Sequence, residues 1–87
     1  MNILSQDGKT LINYDNVASL YIQTVYRQYS NTLWEIRALY PTISNDILFD
    51  KIAQFDNEEE CESVFKEIIH QICDLKYNLI EVNDIQK

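Results

Sequence analysis

The sequence predicts an α+β domain, a four- or five-stranded, mainly antiparallel sheet with one long C-terminal amphipathic helix packed on one face. Three observations carry this. Apolar and polar residues alternate over residues 32–40; apolar residues recur every three or four positions after residue 60; and Asn57 with Glu60 forms a helix-start pattern between the two regimes. At 87 residues the chain is read as one domain, since domains take roughly 100–200 residues each. With 46% apolar residues it can build a core. A single Gly and a single Pro exclude collagen-like, linker-like and low-complexity classes. The expected division is sheet over residues 1–55, helix over residues 57–80 and a tail over residues 81–87 that is frayed or forms a short terminal element.

The elements follow in order. Ile3-Leu4-Ser5-Gln6 and Lys9-Thr10-Leu11-Ile12 are strand-like runs separated by Asp7-Gly8, a pair that tolerates positive φ and suits a tight hairpin. Asn13-Tyr14-Asp15-Asn16 supplies turn formers, and residues 17–25 are rich in β-branched and aromatic side chains, which gives a third strand. The pattern lapses over residues 26–31. It resumes as a fourth strand in which Trp34, Ile36, Ala38 and Tyr40 share one side and Glu35 and Arg37 the other. Pro41 ends that strand. Residues 47–55 fit two templates: Leu48, Ile52 and Phe55 make a helical face, whereas Phe49, Ala53 and Phe55 fit a strand. The strand is favoured, because a new helix start follows at once.

That start is Asp56-Asn57, with Asn57 as N-cap and Glu60 as its partner three residues on. Three glutamates in the first turn meet the positive end of the helix dipole, each favourable by about 0.3–1 kcal/mol at most. Cys61, Val64, Phe65, Ile68, Ile72, Leu75 and Leu79 then recur at helical spacing. Val64, Phe65, Ile68, Ile72 and Leu75 are expected to meet Leu20, Ile22, Trp34, Ile36 and Ala38 in the core. Ile69, Cys73 and Tyr77 widen the apolar stripe along one flank, which offers a second contact surface.

The net charge is −7 and the isoelectric point near 4.4, a balance that opposes binding to a phosphate backbone or an anionic membrane. The charge is also localised. Over residues 1–43, Asp7, Asp15 and Glu35 offset Lys9, Arg27 and Arg37, whereas residues 44–67 place eight acids against Lys51 and Lys66. A partner chosen by charge is therefore a basic protein surface, with no direct nucleic acid and no membrane. The candidate contact residues are Asp56, Glu58, Glu59, Glu60, Glu62 and Glu67.

Catalytic signatures are missing. One Gly permits neither a dinucleotide fingerprint nor a phosphate-binding loop, and neither Ser5 nor Ser63 has a histidine placed to activate it. Glu67, His70 and Asp74 give one incomplete set of metal ligands. Cys61 and Cys73 lie about 18 Å apart along one helix, too far for a disulfide, and read as small buried hydrophobes. No enzyme, cofactor or metal is expected. The first residues lack a secretion signal and no apolar run spans a bilayer, so a cytoplasmic setting is expected.

The runs Ile3-Leu4-Ser5-Gln6-Asp7-Gly8-Lys9-Thr10 and Ile12-Asn13-Tyr14-Asp15-Asn16-Val17, with Phe55-Asp56-Asn57-Glu58-Glu59-Glu60, resemble small uncharacterised proteins of Gram-positive bacteria and their phages. The resemblance implies an antiparallel sheet carrying one helix, and a cytosolic setting. It brings no activity and no site residues. The functional expectation is a non-catalytic acidic protein-binding module, of the size and charge of phage-encoded inhibitors such as anti-CRISPR proteins. The alternative is a homodimeric accessory domain self-associating through Ile69, Cys73, Tyr77, Tyr26 or Tyr29.

Overall fold

The computed structural model describes residues 1–44, 46–74 and 76–85. The order is β1 (Asn2–Leu4), β2 (Leu11–Asn13), a single 3-10 turn over Tyr14–Asn16, β3 (Ser19–Val25), β4 (Leu33–Tyr40), β5 (Leu48–Phe55), α1 (Glu58–Cys73), β6 (Leu79–Glu81) and α2 (Val82–Ile85). The α+β class holds. The single sheet of four or five strands does not, because the strands divide into two sheets of three, ordered β2-β1-β6 and β3-β4-β5.

The larger sheet is antiparallel throughout. Ile22 lies opposite Ile36, and Ile36 opposite Ala53. Alternation along β4 sends Ile36 and Ala38 into the core, with Trp34 and Tyr40 half-buried against it. Glu35 and Arg37 stay on the outer face as an ion pair of 2.7 Å. There the Arg37 guanidinium sits 4.2 Å from the centre of the Phe49 ring. The β4–β5 register shifts at Ile36/Arg37, and this bulge lets the adjacent Ile52 and Ala53 both be buried.

The smaller sheet joins opposite ends of the chain. β1 pairs antiparallel with β2 and parallel with β6, which buries Ile3, Ile12 and Ile80 almost completely. The hairpin forms where expected, but its turn is wider than a two-residue Asp7-Gly8 turn: Gly8 has φ +71° while Asp7 does not take positive φ, and the Gly8 amide donates to the Ser5 carbonyl at 2.9 Å, which makes Gln6 and Asp7 the central residues. The buried Ser5 hydroxyl donates to Asp7 (2.6 Å) and accepts from the Thr10 amide (3.1 Å). Those bonds make Ser5 a turn brace. Its bond to Asp7, with that of the Lys9 amide, holds the Asp7 carboxyl below its ordinary pKa.

α1 lies over β4, flanked by β5 and β3, and buries Cys61, Val64 and Ile68. Asn57 caps it as expected, its side-chain oxygen accepting from the Glu60 amide at 2.9 Å. Two expectations about the helix are corrected. It ends at Cys73 and not at residue 80, because Asp74 turns extended (φ −93°, ψ 112°) and its carboxylate accepts from the Lys76 amide at 3.1 Å. Of the two forms expected for residues 81–87, the short terminal element holds over their described part, since Glu81 ends β6, α2 follows, and Val82 is fully buried. Cys73 is exposed and only Cys61 is buried. Among the expected core partners Phe65 and Ile72 are half-buried, and Leu75 lies outside the described residues.

Candidate functional site

The face of α1 turned toward β6 and α2 forms one wall of an open groove of about 750 Å³. Ser63, Val64, Glu67 and Gln71 recur at three- and four-residue intervals on that wall. The opposite wall comes from chain beyond the helix, with Tyr77, Leu79, Glu81, Asp84 and Ile85. Glu67, Glu81 and Asp84 are therefore gathered around a partly apolar lining. Glu67 is half-buried and accepts from the Gln71 side-chain amide at 3.3 Å.

The acidic residues singled out in the sequence fall into two sets. Asp56, Glu58, Glu59, Glu60 and Glu62 are all exposed. At about 100° per residue, Glu60 lies on the groove side of α1 in line with Val64 and Glu67, whereas Glu58 and Glu62 lie on the opposite flank with Ile69 and Cys73. Asp56 and Glu60 also border a shallower hollow with Gln6, Leu33, Gln54 and Phe55. The local potential registers on Cys61. Burial, then Glu62, Glu58 and Glu60, push its thiol up to about 11, which overrides the lowering usual near a helix N-terminus.

The self-association residues are not brought together in one patch. Tyr77 lines the groove, Ile69 and Cys73 occupy the other flank, and Tyr26 and Tyr29 follow β3, 83% and 91% exposed. The remaining central tyrosines have structural contacts. Tyr40 donates to Asp50 at 2.7 Å, Tyr14 packs on the core, and Tyr21 lies opposite Arg37 across the β3–β4 pair. His70 is exposed on α1, and among the described residues no three His, Cys, Asp or Glu side chains gather as metal ligands. Sequence reasoning missed Glu81, Asp84 and Leu79 as site residues, because it continued the helix through Leu79 and treated what followed as a tail. Leu79-Ile80-Glu81 reads apolar-apolar-polar, too short a run to announce the exposed–buried–exposed strand it forms.

Fold and groove define a small α+β protein with an acid-bordered, partly apolar cleft. The chain is 27% identical over 77 residues, 88% of its length, to the regulatory protein RecX of Clostridium perfringens. The match covers 34% of that protein, so the chain spans about a third of the length of the curated relative. At that identity and coverage the likeness does not make it a member of that family. No family model and no solved structure matches the chain. No helix among the described residues is long and apolar enough to cross a membrane.

Proposed function

We propose that this chain is a non-catalytic protein-binding regulator, which takes a basic segment of a partner protein along the acidic side of α1. The observation that carries the reading is the convergence of Glu67, Glu81 and Asp84, from three separate elements, on a groove also lined by Val64, Tyr77, Leu79 and Ile85. Carboxylates alone would attract any cation. Beside apolar side chains they select a segment with basic residues on one side and apolar residues on the other. Glu59 and Glu60 extend the negative potential to the first turn of α1 and speed encounter with such a partner.

The likeness to a bacterial regulatory protein supports a regulatory over an enzymatic role. It speaks neither to a phage origin nor to inhibition of a defence protein, and both stay expectations of size and charge.

The test uses two synthetic peptides of equal positive charge, one with leucines at helical spacing and one with serines in their place. The leucine peptide should bind roughly tenfold tighter or better, and Tyr77→Ala with Leu79→Ser should abolish the difference. Glu60→Lys with Glu67→Lys should weaken both peptides, and added salt should do the same. Equal binding of the two peptides would leave only diffuse charge attraction and remove the groove as the site.

A further inference from the structure

β3 is an open edge of the larger sheet, and it has none of the usual defences of an edge. It pairs with β4 over all seven residues without a register shift, and no charge, Gly or Pro occurs between Asp15 and Arg27. Bare edges of this kind present unpaired backbone groups to another strand. The other edges are guarded. β5 carries Asp50, Lys51 and the bulge, and Gln6 is bonded to its outer side at Ile52 and Gln54. β2 and β6 are three residues each.

We propose that β3 is a self-association edge, and that two copies of this chain pair antiparallel through it to make one continuous six-stranded sheet. Charge selects the occupant. The chain carries −7, but its acids are concentrated after residue 44 and residues 1–43 sum to zero. The β3 edge is thus where two like-charged copies approach with least repulsion. A basic partner finds no counter-charge there.

The side-chain pattern is self-complementary. In an antiparallel pair, residues opposite each other share a face, so a two-fold axis perpendicular to the sheet at Tyr21 sets Leu20 against Ile22 of the other copy on the inner face and Ser19 against Gln23 on the outer. The inner face stays under the helix layer, and both α1 helices remain on one side of the joined sheet. The outer sheet face is a poorer contact, because its centre is occupied by the Arg37–Glu35 pair, already bonded together and only 19% and 12% exposed.

Sedimentation equilibrium of the whole chain, from low micromolar to millimolar concentration, should show a monomer–dimer equilibrium. Hydrogen exchange should show the amides of residues 19–25 gaining protection as concentration rises. Ser19→Lys with Gln23→Lys, both exposed positions on the outer side of β3, brings like charges together across the axis and should raise the dissociation constant roughly tenfold or more. Glu60→Lys with Glu67→Lys, which tests the groove, should leave a dimer. The exchange measurement uses the parent protein, so it decides even where the lysine variant folds poorly. A monomer throughout, a dimer whose β3 amides exchange as freely as the monomer's, or a folded lysine variant that dimerises as the parent does would each overturn the proposal.

Discussion

The side chain of Gln6 closes a two-point clamp on the backbone of Gln54, accepting from its amide at 2.9 Å and donating to its carbonyl at 3.2 Å. The Gln6 amide donates to the Ile52 carbonyl at 2.8 Å as well. Gln6 therefore stands where a further strand would pair with β5, and it ties the small sheet to the large one at the bulge.

Removing the clamp leaves two backbone groups without their partner. Gln6→Leu is expected to destabilise the protein by about 1–3 kcal/mol, read as a lower urea midpoint followed by Trp34 fluorescence. Gln6→Glu keeps the acceptor and loses the donor, so it should fall between parent and Gln6→Leu. An unchanged midpoint for Gln6→Leu would show that packing alone holds the sheets together.

The core ranks the helix positions differently from their spacing. Ile68 is fully buried and Phe65 only half-buried, although both recur on the same stripe. Ile68→Ala should cost about 2–5 kcal/mol, and Phe65→Ala less, despite the larger side chain removed. Denaturation curves for the two variants check the order, and the reverse order would mean that α1 is rotated on the sheet.

The two thiols should separate cleanly. Cys73 is exposed, whereas Cys61 is buried with its pKa pushed up to about 11. Near pH 8 a thiol reagent is expected to modify Cys73 quickly and Cys61 only after denaturation, because the thiolate is the reactive form. Mass spectrometry of the labelled peptides distinguishes them, and rapid labelling of Cys61 in the native protein would contradict its burial.

Tyr40 predicts an alkaline slope. Burial and its hydrogen bond to Asp50 push its phenol from 10.0 up to about 12. The folded protein then holds this proton more tightly than the unfolded chain does. The stabilisation is complete below pH 10 and is lost as pH rises from 10 toward 12. Tyr40→Phe should be less stable than the parent at neutral pH, and the gap should narrow across that window. Urea titrations at several pH values measure it.

Much of this architecture was legible because its signals are local. Strict alternation gave β4, Asp7-Gly8 gave the hairpin, and Asn57 with Glu60 gave the start of α1. Residues 47–55 fitted two templates for a physical reason. The bulge at Ile52 reverses inward and outward positions partway along β5, so Phe49 points away from the core while Ala53 and Phe55 point into it. The end of α1 was missed because no Gly marks it, and because Leu79 continues the helical spacing by coincidence. The division into two sheets depends on β1 choosing β6, a pairing across nearly the whole chain that no neighbouring residues announce. The groove depends on that same pairing, so only its α1 wall was readable.

That long-range pairing also orders events in time. Ile3 is made long before its neighbour Ile80, so during synthesis the small sheet cannot close until the whole segment between them has left the ribosome. Until then the hairpin presents an open apolar side and a free backbone edge. A chain cut after Asn78 should keep this unfinished character permanently, with rapid amide exchange at residues 2–4 beside a larger sheet that stays protected.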